Sequence, residues 1–195
     1  MSPLSDEALD RLFREARTFP AFLERPVSDD MLRKIYDIAR MGPTSTNSNP
    51  ARFVFLRSPA SRARLAPALS AGNLDKTMKA PVTAILAYDL EFYDHLPKLF
   101  SHVDARSWYV GKREHIVTTS FRNSTLQGAY FMLAARALGL DVGAMSGFDN
   151  AKVDAEFFPD GKLRSNFLIN VGYGDKSKLL PRHPRLEFED ACTIL

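Results

Sequence analysis

A single mixed domain of helices and strands, α+β or α/β, is the fold class that residues 1–195 predict, and three observations carry it. Continuous apolar runs of strand type alternate loosely with segments of helical period. The composition, 45% hydrophobic and 25% charged, suits a globular chain long enough to bury a core. No repeat, low-complexity stretch or interdomain linker divides it.

The elements follow in order. In SDEALDRLFREAR, Ser5 is a helix cap and Leu9, Leu12, Phe13 and Ala16 recur at helical spacing. VSDDMLRKIYDIARMGP is the clearest helix. Ser28 caps it, Asp29 and Asp30 sit at the positive end of its dipole, and Gly42-Pro43 stop it. Its apolar stripe is Leu32, Ile35, Tyr36 and Ala39. After the loop PTSTNSNP, RFVFLR reads as a short strand. SPASRARLAPALS starts as a helix with Ser58 as cap and Pro59 in the first turn, and Pro67 breaks it. PVTAILAYD is a buried strand, and the aromatic, turn-rich EFYDHLPKLFSHVDARSWYVG is expected to form a mobile cover.

The longest helix is predicted from about Glu114 to Leu138, ended by Gly139. Phe121, Leu126, Tyr130, Met132 and Leu133 lie around much of its circumference, which predicts burial on several sides. GAMSGFDN is a glycine-bounded turn, AKVDAEFF a short helix and SNFLINVGYG another buried strand. The tail, PRHPRLEFEDACTIL, begins proline-rich and ends in a helical turn.

Several chemistries are absent from the sequence. The four histidines, at 95, 102, 115 and 183, are scattered with no HExxH and no Cys/His set, so no metal site is expected. GAMSG fails as a nucleophile elbow because Ser146 is fourth in the run rather than third. GYGDKS lacks the third glycine of a dinucleotide loop. The lone Cys192 fits a reducing, cytoplasmic setting. No signal peptide is read at the N-terminus, and no run approaches the ~20 apolar residues of a membrane span.

The net charge of +3 and pI of 9.0 favour anionic ligands. A small basic nucleic-acid-binding protein is the alternative from another class. Arg11, Arg14 and Arg17 support it, but acids are interspersed with them and no nucleic-acid motif is present. What remains is amides, backbone donors and basic residues, a kit suited to a flat, polar, phosphorylated ligand that carries its own chemistry.

Four landmarks then stand in one order: ARTFPAF (16–22), PTSTNSNP (43–50), NLDK (73–76) and AMSGFD (144–149). In that order the chain resembles the nitroreductase superfamily of FMN-dependent homodimeric flavoproteins, along essentially its whole length. Within it, SAGNLDKTMKAPVTAI, EFYDHLP, DARSW, FRNS, MSGFD and INVGYGDKSKL are similar to the malonic semialdehyde reductase group.

The resemblance implies a mostly antiparallel central sheet flanked by helices, in an intertwined homodimer with the site at the interface. It implies that Pro43, Thr44, Ser45 and Asn47 line the flavin pocket, the loop of one subunit serving a flavin held mostly by the other. Read alone, the same loop is a capped turn joining helix to strand. It implies that Asn73 bonds the pyrimidine edge of the flavin and that Lys76 stabilises the charge of its reduced form. In the Met145-Ser146-Gly147 turn, the Ser146 amide would point at flavin N5, and Gly147 would permit close approach. A glycine-rich turn before a helix is the plain alternative.

The phosphate position departs from the family pattern, with Ala16 and Pro20 where cations usually stand. Arg17, Thr18, Arg182 and Arg185 are expected to hold the phosphate. Arg52, Arg106 and Trp108 are substrate-side candidates, the arginines for a carboxylate and Trp108 for stacking or closing a lid; surface charge and packing are the alternatives.

The implied activity is an FMN-dependent NAD(P)H oxidoreductase that needs no side-chain nucleophile. The favoured reaction is reduction of malonic semialdehyde to 3-hydroxypropionate. A broad nitro- or quinone-reductase is the alternative within the enzyme class.

Overall fold

The computed structural model describes residues 2–195. Ser5 opens α1 (Asp6–Leu9) by accepting from the Ala8 amide. The helix then widens into a π-helical stretch over Asp10–Arg14 and stops short of Ala16. Phe13 is 55% exposed, so the expected apolar stripe is not buried within the chain.

α2 (Asp29–Ala39) keeps its predicted cap and acidic first turn, and it buries Leu32, Ile35 and Ala39. Tyr36, expected on the same stripe, is 44% exposed. β1 (Ala51–Leu56) leads to α3 (Pro59–Leu65), where Pro67 ends the α-helix in a 3-10 turn. α4 (Ala71–Lys79) puts Asn73 and Lys76 one turn apart on a helix. β2 (Val82–Asp89) follows. The region expected to be a mobile cover contains α5 (Leu96–Leu99) between two 3-10 turns. It has an apolar core of its own, which includes Phe92, Leu96, Ala105 and Tyr109.

α6 (Arg113–Ala137) matches its predicted span within a residue at each end. β3 (Asp141–Met145) occupies part of what the glycines suggested was all turn. α7 (Asn150–Phe157), β4 (Leu163–Gly172) and a short α8 (Phe188–Ala191) complete the chain.

The sheet has the order β1-β2-β4-β3, and every neighbouring pair is antiparallel. Thr18 adds a parallel bridge to Val142 on the outer edge of β3, and the Phe19 amide donates to the Val142 carbonyl at 3.0 Å. Both faces are covered. α2 and α6 pack over Val82, Ala84, Ile169 and Val171, while α3 and α7 pack over Ile85, Ala87 and Leu168. Burial on both faces explains why β2 and β4 read as continuous apolar runs.

α6 differs from its expected burial. Its sealed face carries Ser120, Asn123, Ser124 and Gln127 before it turns apolar at Phe131, Ala134 and Ala135. Phe121 and Leu126 are 49% and 42% exposed.

Phe131 is fully buried and stacks on Phe53 with ring centroids 4.8 Å apart, holding α6 onto β1. Phe131→Ala is expected to cost about 3–5 kcal/mol, read from the urea unfolding midpoint at unchanged slope.

Candidate functional site

The loop 43–50 has a strained backbone. Thr46, Asn47 and Asn49 have φ of 53°, 50° and 43°. Asparagine tolerates this left-handed region, but a β-branched threonine is an outlier there. Each such residue costs on the order of 1–3 kcal/mol and persists only where its surroundings hold it.

The restraint comes from α6. Asn123 Oδ1 accepts from the Ser45 amide at 2.8 Å, and Gln127 Oε1 accepts from the Ala51 amide at 2.9 Å. Gln127 Nε2 also donates to Asn49 Oδ1 at 3.1 Å. Tyr130 donates to the Pro43 carbonyl at 3.0 Å, and Asn47 donates to the Leu99 carbonyl at 2.9 Å. Asn123 is itself fixed by a 2.8 Å bond to the Thr119 carbonyl. Sequence reasoning passed over Asn123 and Gln127. The signal available was a pair of amides four apart on a helix expected to be buried.

Arg52 does not stand free for a substrate carboxylate. It pairs with the buried Asp89 at 2.5 Å and donates to the carbonyls of Asn49 and Ala51 at 3.0 and 2.9 Å. These partners occupy its planar fork and make it an anchor for the loop's end. Arg106 pairs with Asp94 at 2.7 Å and lies over the Tyr93 ring, 5.7 Å from its centroid. Trp108 is 43% exposed and meets Phe100 edge-on.

A second group gathers at the end of β3. Asn73 donates through Nδ2 to the Gly147 carbonyl at 2.8 Å, which also accepts from the Ser70 amide at 3.1 Å. Thr77 donates to the Met145 sulfur at 3.4 Å. A Cβ on Gly147 would lie 2.6 Å from Asn73 Nδ2 and 2.8 Å from Ser70 Oγ, so any other residue there would displace those two side chains. Ser146 is exposed, and its amide makes no turn hydrogen bond among the described residues. Lys76 is half-buried and has no ion-pair partner among them. A free amide donor, a fixed carboxamide and an unpaired ammonium therefore share one side of the fold.

A third group lies at the outer edge of β3. Arg17, Thr18, Arg136, Arg182 and Arg185 line a cavity of about 690 Å³ that no acidic side chain lines. Arg17 donates to the Leu180 carbonyl, and Arg182 donates to the Ala16 carbonyl at 2.9 Å, tying the tail to the N-terminal segment. Arg185 turns back onto the carbonyls of His183 and Pro184. Arg136 was not foreseen. Burial lowers its pKa, with Arg182 adding to the fall against an opposing pull from Asp141.

These groups fit FMN. The cation-lined cavity suits a phosphate, and the Asn73, Lys76 and Ser146 set offers donors for the flavin's polar edges. Thr18 pairs with Val142, three residues before Met145. That separation is roughly 10 Å of strand, on the scale of a ribityl phosphate arm.

The loop 43–50 joins neither group. It enters β1 at one edge of the sheet, whereas the other two groups flank β3 at the opposite edge. Three strand spacings, about 14 Å, separate those edges.

Comparison with known proteins gives the family and the fold. The Nitroreductase family model matches residues 13–173. A Burkholderia lata protein provisionally named NADH dehydrogenase/NAD(P)H nitroreductase is 59% identical over 194 residues, covering 100% of both chains. A solved structure of a provisionally assigned Bacillus subtilis nitroreductase superposes with TM-score 0.89 at 19% identity, covering 98% of this chain and 100% of its own. One from Exiguobacterium sibiricum, solved in complex with FMN, gives TM-score 0.88 at 17% identity over 100% of each chain.

The loop's two backbone anchors can be weighed directly. Asn123→Ala leaves the Ser45 amide of the loop without its acceptor, and Gln127→Ala does the same to the Ala51 amide where the loop enters β1. Each is expected to lower unfolding stability by about 1–3 kcal/mol in urea denaturation. Lys34→Ala, on the exposed side of α2, is expected to stay within about 0.5 kcal/mol of the wild type.

Proposed function

Since this chain belongs to the nitroreductase family, we propose that it is an FMN-dependent NAD(P)H oxidoreductase working as a homodimer. The observation that carries the reading is the pairing of the acid-free arginine cavity with the Asn73, Lys76 and Ser146 set along one edge of the sheet.

The assignments follow from what each residue has free. Arg17, Arg182 and Arg185 hold the phosphate, Thr18 adds a hydroxyl, and Arg136 joins the cluster from α6. Asn73 bonds the pyrimidine edge. Lys76 stabilises negative charge there when the cofactor is reduced. The Ser146 amide, between Met145 and Gly147, serves as donor to N5. Bound FMN supplies hydride transfer between NAD(P)H and an acceptor, so no side-chain nucleophile is required. Pro43, Thr44, Ser45 and Asn47 give the site an uncharged wall that leaves the ring face open.

The wall comes from the partner subunit in this reading. Two observations support a dimer. The loop and the cofactor groups lie at opposite sheet edges of one chain, and a two-fold axis would bring them together. Large apolar side chains also stand exposed: Phe121 and Leu126 on α6, Met41 after α2, and Leu186, Phe188 and Ile194 in the tail.

For the acceptor, the sequence text shared with malonic semialdehyde reductases favours reduction of malonic semialdehyde to 3-hydroxypropionate. The curated relatives' names point instead to nitro compounds. Higher kcat/KM for the semialdehyde than for nitrofurazone or menadione is the expected result. The reverse order would make the protein a broad nitro- or quinone-reductase.

The cofactor is tested by absorption. After incubation with FMN and desalting, the protein is expected to be yellow and to bleach under anaerobic NADH or NADPH. Arg17→Ala and Arg182→Ala are each expected to weaken FMN binding about 10- to 100-fold in fluorescence titration, the worth of a charge-assisted contact. A colourless protein that retains no FMN would overturn the reading.

A further inference from the structure

A cleft of about 620 Å³ opens where α2 ends, between the loop 43–50 and the turn of α5. Arg40, Arg52, His95 and Lys98 line it beside Asn47 and Asn49, and no acidic side chain does. The cations are not equivalent. Arg52 is held by Asp89, and Arg40 by Asp37 at 3.3 Å. Lys98 is exposed and makes no ion pair or side-chain hydrogen bond among the described residues. His95 is likewise exposed, one turn before it. The cleft is continuous with the loop, because Asn47 donates to the carbonyl of Leu99, the residue after Lys98.

We propose that this cleft is an anion subsite of the oxidoreductase. Lys98 is its free cation and His95 a second donor. The subsite takes the phosphate or carboxylate of a small molecule whose reacting end reaches the flavin. The proposal rests on the reading that the loop 43–50 borders the flavin, since only then does the cleft open onto the reaction. Its charge fits the ligand. An ammonium that neither an acid nor a backbone carbonyl occupies is available to an incoming anion, and acid-free walls focus the field toward it. Because Arg52 and Arg40 already have carboxylate partners, the cleft's selectivity falls on Lys98 rather than on the arginines.

Two sources carry the required anion: the 2′-phosphate that distinguishes NADPH from NADH, and the carboxylate of an acidic aldehyde. Steady-state kinetics of the FMN-loaded enzyme separate them. Lys98→Glu is measured against Lys98→Arg and against Lys152→Glu, which makes the same charge change on α7, outside the cleft. One arm follows the NADPH to NADH ratio of kcat/KM, and the other the ratio for malonic semialdehyde to menadione.

In Lys98→Glu at least one ratio is expected to fall by about fivefold or more, through KM rather than kcat, the size of an exposed charge contact. Lys98→Arg is expected to hold that ratio, and Lys152→Glu to leave both unmoved. A fall in the first ratio assigns the anion to the nucleotide, and a fall in the second to the acceptor. Both ratios unchanged in Lys98→Glu, with FMN bound and turnover present, overturn the subsite and leave the enzyme assignment standing. No NAD(P)H oxidation by the wild type removes the enzyme assignment and the subsite with it.

Discussion

The bond from the Ser45 amide to Asn123, with its companion from Ala51 to Gln127, fixes the conformation of the loop that would wall the proposed site. A loop with three left-handed residues relaxes unless something outside it supplies acceptors in the right places. α6 supplies them because its buried face is not uniformly apolar. From Ser120 to Gln127 it carries hydroxyls and amides, and from Phe131 it carries the apolar side chains that seat it on the sheet. The apolar half sets where the helix lies, and the polar half thereby sets where the loop lies. A strained loop on a rigid support gives a cofactor a preformed wall, and ordering that wall adds little to the cost of binding.

The same helix separates charge from polarity. The loop it holds is uncharged, while the basic residues lie outside it: arginines at the outer edge of β3, and Lys98 with His95 across the mouth of the cleft. Charge at the rim attracts and orients anions, whereas a charge against a flat ring would compete with hydride access to it. The sheet order reinforces the separation. β1 and β3 are the two edges, so the neutral wall and the cationic cavity of one chain face different neighbours. In the proposed dimer, two-fold pairing would give each cationic edge a neutral wall from the other copy and would cover the exposed apolar side chains on the outer face of α6.

Much of the architecture was legible because local signals agreed with one another. Ser28 with Asp29 and Asp30 fixed the start of α2, Pro67 fixed the break after α3, and unbroken apolar runs marked β2 and β4 as strands covered on both faces. β3 was hidden because two of its five residues are Gly143 and Ala144, with too little side chain to show a period. Arg17, Thr18, Asn73 and Gly147 were legible within ordered landmarks, and Arg182 and Arg185 in the basic tail; the fold brings the arginines to one cavity and Asn73 to Gly147. Arg136, Asn123 and Gln127 were not legible, because each acts from α6 across more than 70 residues of sequence. Arg52 shows the opposite failure. Its type and position suited a carboxylate clamp, but a protein acid, Asp89, lies across the strand pair and takes the place a substrate would need.

The departure at Ala16 is less damaging to phosphate binding than the side chains alone suggest. What Arg182 uses at that position is the carbonyl of Ala16, which any residue would offer. The bond folds the tail back over the N-terminal segment, and Arg17 returns the contact from the other side through the Leu180 carbonyl. Cations from two distant parts of the chain therefore reach one cavity without a second arginine at position 16, and Arg136 adds a half-buried guanidinium whose pKa is lowered chiefly by its burial. In the proposed phosphate site, backbone acceptors aim the arginines, so losing one cation from the family pattern would change which residue supplies the charge and leave the place of the charge intact.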